Sequence, residues 1–204
     1  MLKRTTGRLL LALLVTTGLA GTLNNSSLSQ KERKQAIALI KSSRTEVLNS
    51  ISGLSDRQMN YRPSPGEHTI GELITKMIAL EKTGCDAIKT RLEMPSNSED
   101  RLSITLTDDQ LLATNDYSLY KTGIKENSKE TWKNADDALK KFNVMRNNQI
   151  KYIRTSTEDL RNRVVFTPVG WIDCYQYHLL LADISNFVAE RINKIKASAS
   201  FPKK

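Results

Sequence analysis

Along most of the chain, apolar residues return every third or fourth position, and the stretches that do so are separated by loops holding the prolines. That period belongs to helices with one buried face. The first such stretch opens at Ser29-Gln30-Lys31-Glu32, a capping box in which the serine hydroxyl accepts from the third amide and the glutamate reaches back to the cap. Ile37, Ile40, Val47, Leu48 and Ile51 form its inner face, and Gly53 stops it. After the loop "YRPSPGEH", Thr69-Ile70-Gly71-Glu72 repeats the box. Ile70, Leu73, Ile74, Met77, Leu80 and Ile88 then predict a second helix over 69–92, closed by Pro95 and "SNSED". Thr107-Asp108-Asp109-Gln110 is placed to cap a short helix, and residues 117–133 read as a long surface excursion. Asn134 caps a third long helix with the stripe Leu139, Phe142, Met145, Ile150 and Ile153. "TSTEDL" reads as a turn and "RVVFT" as the one plausible strand. Asp173 caps a fourth helix reaching about Ala197, with Tyr177, Leu181, Ile184, Val188, Ile192 and Ile195 on one side and Asp183, Asn186, Glu190 and Lys194 on the other. Four long helices without an alternating strand of any length predict an all-α four-helix bundle with an irregular excursion between the second and third helices.

The start of the chain follows a different pattern. "MLKRTTGRLLLALLVTTGLAG" sets Lys3, Arg4 and Arg8 ahead of an apolar run from Leu9 to Val15, followed by small residues up to Ala20. This is the arrangement of a signal peptide cut after Ala20, and the run is shorter than the ~20 apolar residues a membrane span requires, which argues against an uncleaved anchor. The expected organisation is therefore a signal peptide over 1–20, a polar spacer over 21–28 and one globular domain over 29–204. Export to the periplasm or the extracellular space follows, with no stable membrane span after cleavage.

Removal of residues 1–20 takes away three basic side chains and no acidic ones, leaving 28 basic against 22 acidic, a net +6. The basic residues are spread over every helix and only 6% of residues are aromatic, so a nucleic-acid platform is not expected. Cys85 and Cys174 are the only cysteines, and an oxidising compartment invites them to pair.

The order of segments adds a further reading. "GLSDRQMNYRPSPGEHTIGELITKMIALE" resembles the first half of the DinB-like four-helix bundle family, with its GLS-type turn, proline-bearing loop and following helix. "RTSTEDLRNRVVFTPVGWIDCYQYHLLLADISNFVAERINKIKASASFP" resembles the second half, which carries a P-x-G-x-x-D-x-Y-Q turn, a last helix and a terminal K-A-x-x-x-F-P. The likeness covers most of residues 29–202 and implies the family's bundle fold. In many members of that family three histidines, one on the second helix and two at i and i+4 on the last, hold a divalent metal for hydrolysis or thiol-dependent transfer. The i, i+4 pair suits this because both imidazoles lie on one helix face. An ungapped overlay puts the three positions at Lys76, Ile184 and Val188, none of them histidine.

The resemblance therefore implies a divergent member with a degenerate metal site and no metal cofactor. Lys76 admits two roles: an ammonium in the vacated metal position, paired with a carboxylate, or a stem lying over the core edge with its head in water. The chain has two histidines. His68 is expected in an exposed loop, and His178, six residues before Ile184, cannot share that residue's face. Asp108-Asp109 and Asp136-Asp137 fall at helix starts, where the helix dipole favours negative charge. No phosphate loop, nucleophile elbow or His-Glu-x-x-His motif is present, so no catalytic residue is identified. For the cysteines, nine residues separate Cys85 from Lys76 and ten separate Cys174 from Ile184, ~14–15 Å of helix at ~1.5 Å per residue, which puts both at one level if the helices run antiparallel. A rotation of about 180° over nine residues turns Cys85 away from the last helix, so the two thiols are expected to stay free. Two functions stay open: a non-catalytic exported bundle binding a small ligand or a partner protein in the former active-site crevice, or a divergent hydrolase or transferase. A homodimer is conceivable in either case.

Overall fold

The computed structural model describes residues 27–122 and 134–203. The stretch expected to be a signal peptide and nearly all of the expected spacer lie outside the described residues, as do residues 123–133 of the expected excursion. Leu28, assigned to the polar spacer, is buried in the core and so belongs to the domain.

Four long helices make the bundle: α1 (Gln30–Ile51), α3 (Ile70–Glu93), α6 (Ala135–Thr155) and α7 (Cys174–Lys196). Each starts where a side chain accepts the orphan amides of the first turn. Ser29, Thr69 and Asp173 do so in complete capping boxes with Glu32, Glu72 and Gln176, and Asn134 accepts from the Asp137 amide. The inner face of α1 is rotated from the expected one: Ala36, Ile40, Ser43, Val47 and Ile51 are buried while Ile37 and Leu48 are only partly so. The expected stripe of α7 is buried from Tyr177 through Ile192, with Ile195 partly buried near the C-terminal end of the helix. Beyond the stripe, every residue of α7 from Cys174 to Ala182 is buried, because α7 packs against α1, α3 and α4 at once. By contrast, α3 and α6 touch little.

Several short elements depart from expectation. Ser55 caps α2 (Asp56–Met59) in a further capping box with Gln58. A 3₁₀ turn spans Ser98–Ser103, and α4 (Asp108–Ala113) begins at Thr107 as its capping box requires. The surface excursion starts later than expected, since α5 (Ser118–Thr122) lies within it and buries Leu119 and Tyr120. "RVVFT" does form β1 (Val164–Thr167), but it pairs antiparallel with β2 (Gly170–Asp173), Val164 facing Asp173 and Thr167 facing Gly170. Gly170 has φ +103°, a conformation open to glycine at little cost, and this lets two residues close the hairpin.

An arginine fastens the ends of three helices. Arg161 donates to Glu32 in α1 (2.7 Å), to both carboxylate oxygens of Asp108 in α4 (2.9 and 2.5 Å) and to the α7 cap Asp173 (2.9 Å), and its guanidinium lies 4.1 Å from the centre of the Tyr175 ring. The three acids bring α1, α4 and α7 to one cation, with Glu32 and Asp108 in first turns where the helix dipole already favours negative charge. The capping role expected of Asp108 thus becomes an ion pair.

Candidate functional site

Where α3 and α6 fail to meet, a cavity of about 730 Å³ opens, within the range of small-molecule sites. Cys85, Ile88 and Leu92 of α3 and Met145 and Tyr152 of α6 wall it. Charged residues of both signs, among them Lys82, Asp86, Lys89, Glu93 and Glu158, also line it and are exposed. Glu81, Gln149 and His178 are its buried polar members.

Those buried polar members are joined behind the wall by Arg146, whose side chain is fully buried. Its Nη2 lies 2.9 Å from Glu81 Oε2. It also donates to Gln149 Oε1 (2.6 Å), to the Leu181 carbonyl (3.2 Å) and to the Ser185 hydroxyl. Phe142 lies beneath it, the ring centre 5.2 Å from the guanidinium carbon. A guanidinium only donates, so the Gln149 oxygen must face Arg146 and its amide nitrogen must face the other way. That nitrogen stands 3.1 Å from His178 Nδ1. Nδ1 therefore accepts, and the proton of the neutral imidazole sits on Nε2.

Burial, reinforced by Arg146, lowers the His178 pKa to about 4, so the ring is neutral near pH 7. Burial pushes the Glu81 carboxyl up while Arg146 opposes it. It raises the Cys85 thiol to about 12, with Glu81 adding to the effect, so Cys85 is a protonated, weakly nucleophilic wall residue. Three buried polar atoms of the cluster have no hydrogen-bond partner among the described residues: Glu81 Oε1, Arg146 Nε and His178 Nε2. A floor that holds a fixed tautomer and leaves donors and acceptors unmet can orient a polar group, but it holds no activated nucleophile.

The family model of the DinB superfamily matches residues 39–183. The chain belongs to the DinB superfamily. YfiT from Bacillus subtilis, whose structure is described as that of a probable metal-dependent hydrolase with an unusual four-helix bundle topology, is similar at a TM-score of 0.52 and 14% identity, over 83% of this chain and 89% of that one. At that identity the likeness carries the fold. No curated protein matches the chain.

The three positions singled out by the DinB resemblance are not part of the cavity wall. Ile184 and Val188 are buried on α7. Lys76 is partly exposed on α3, its ammonium 4.9 Å from the centre of the Tyr120 ring of α5. The edge of that ring also meets Phe187, on which Tyr117 stacks with ring centres 4.0 Å apart. A lysine stem over the core edge with its head on an aromatic face describes Lys76 here. One ammonium and two aliphatic chains do not fit a divalent ion, which needs lone pairs. Among the described residues, no group of three or more His, Cys, Asp and Glu side chains is arranged to hold a metal.

His68 stands half-exposed before α3, its Nδ1 3.6 Å from Glu72. His178 instead sits on the cavity floor, away from Ile184. Cys174 is buried at the start of α7 and is not bonded to Cys85. Sequence reading missed Glu81, Arg146, Gln149 and Ser185, though a signal was present. Glu81 falls four residues after Met77 and seven before Ile88, and Arg146 four after Phe142, so opposite charges occupy core positions on two helices.

Proposed function

We propose that this DinB-superfamily bundle is an exported, non-catalytic protein that binds a small amphipathic molecule in the cavity between α3 and α6. The observation that carries the reading is the cavity itself: apolar walls over a buried polar floor with unmet hydrogen-bonding atoms, the composition of sites that hold small organic molecules. The basic, apolar and small-residue pattern of residues 1–20 supports export. The reading that the metal site is lost rests on the chemistry of Lys76, Ile184 and Val188, and the proposed binding lies further along α3, from Glu81 onward.

A neutral fluorescent probe, N-phenyl-1-naphthylamine, tests the reading. Wild-type protein is expected to bind one probe per chain saturably, and Cys85→Trp, which fills the cavity from its wall, is expected to bind at least ten-fold more weakly with its helical circular dichroism unchanged. Equal binding by both proteins, or none by wild type, overturns the reading.

The alternative is a divergent hydrolase, the class named in the description of YfiT, or a transferase. Metal analysis of protein purified without chelators separates the two. The binding reading expects substoichiometric zinc, nickel, iron and manganese, and one metal per chain surviving dialysis contradicts it. Lys76→His, Ile184→His and Val188→His combined are expected to create affinity for zinc if the overlay is right.

A further inference from the structure

We infer that the cavity selects neutral amphipathic molecules whose polar end is a carbonyl, received by the Nε2–H of His178; this rests on the binding role proposed above. Two independent observations point to such a ligand. His178 lines the cavity, is 3% exposed, and its Nε2 has no partner among the described residues. A buried donor left unmet costs ~1–3 kcal/mol, which a ligand acceptor relieves. The second observation is the chain of fixed donors behind the ring. Arg146 holds the Gln149 oxygen, the Gln149 amide holds His178 Nδ1, and the only place left for the imidazole proton is the nitrogen without a partner. Reversing the ring's tautomer would set two N–H groups against each other.

Charge decides the rest of the specificity. Glu81 and Arg146 already balance each other in the floor, 2.9 Å apart and both almost wholly buried. An anionic head would lie against the unbonded Glu81 Oε1, and a cationic head would face the His178 N–H and Arg146. Either leaves a net buried charge, which is expensive in a low-dielectric site. A ketone, ester or amide carbonyl accepts the bond and adds no charge, while its hydrocarbon covers Ile88, Leu92 and Met145.

The test displaces N-phenyl-1-naphthylamine from wild-type protein with three seven-carbon probes: 2-heptanone, heptanoate and heptylamine. The ketone is expected to bind at least about ten-fold tighter than either charged probe, and His178→Leu is expected to remove that advantage. His178→Gln, which keeps a donor and folds around the same space, is expected to retain most of it. Nitrogen-15 NMR of wild-type protein, where His178→Leu assigns one of two histidines, is expected to show Nδ1 bare and Nε2 protonated, with the Nε2–H resonance moving on addition of 2-heptanone. Charged probes binding as tightly as the ketone, or a proton on Nδ1, overturn the inference and leave the binding role standing. Failure of the naphthylamine itself to bind removes both.

Discussion

His178 is the residue whose energetics are easiest to isolate. In the fold its pKa is about 4, against a usual 6.5. Between those values the unfolded chain binds a proton that the folded chain refuses, so stability falls as pH drops from about 6.5 towards 4 and is unaffected above that window. A depression of this size corresponds to about 3 kcal/mol. Glu81, whose pKa is raised, works in the opposite direction. The histidine's share is therefore read as a difference: in urea denaturation from pH 7 to 4, wild type is expected to lose about 3 kcal/mol relative to His178→Leu as pH falls. Parallel curves would mean that the ring reaches water. Beside it, Glu81→Ala is expected to cost ~3–5 kcal/mol by stranding Arg146, whereas Glu81→Met with Arg146→Met is expected to cost far less, because a buried ion pair seldom outperforms hydrocarbon of like volume. Equal losses in the two variants would show that the pair itself stabilises the bundle.

At the scale of elements, α3 packs tightly on α7 at Gly84. A Cβ there would stand 2.8 Å from Leu181 Cδ1 and 2.9 Å from Cδ2, and Leu181 is buried with little room to retreat. Two effects compete in Gly84→Ala: a gain of ~1 kcal/mol in helix propensity and an overpacking cost of ~1–3 kcal/mol. The clash is expected to win, with a net loss near ~1 kcal/mol in chemical denaturation, and a gain would show that the helices are spaced more loosely.

The long helices were legible because capping chemistry is local. Ser29, Thr69, Asn134 and Asp173 announce their helices within four residues of sequence. The same signal stood at Ser55-Asp56-Arg57-Gln58 and marks α2, but a single turn leaves no periodicity to draw attention to it. Strand β2 was hidden for another reason: "GWID" alternates over too few residues to be read alone, and becomes a strand only through its partner. The burial of α5 comes from Tyr120 meeting Phe187 across the chain, which no local pattern contains.

For the whole molecule, the sequence and the structure point to neighbouring levels of one bundle. The resemblance draws the eye to Lys76, Ile184 and Val188, where histidines are missing, and at that level the fold places hydrocarbon and stacked aromatic rings. The polar cluster Glu81–Arg146–Gln149–His178 lies elsewhere because it forms only when α3, α6 and α7 come together; each residue alone reads as an interruption of an apolar stripe. The superfamily's helical frame is retained, and a cavity opens in the gap between α3 and α6.

Methionine methyl NMR locates the ligand directly, because the chain has a methionine at each level: Met145 in the cavity wall and Met77 beside Lys76. With methyl-labelled methionine and 2-heptanone titrated to saturation, the Met145 resonance is expected to shift while that of Met77, buried in the core, stays in place. A shift confined to Met77, or none at either residue, would contradict the assignment of binding to the cavity between α3 and α6.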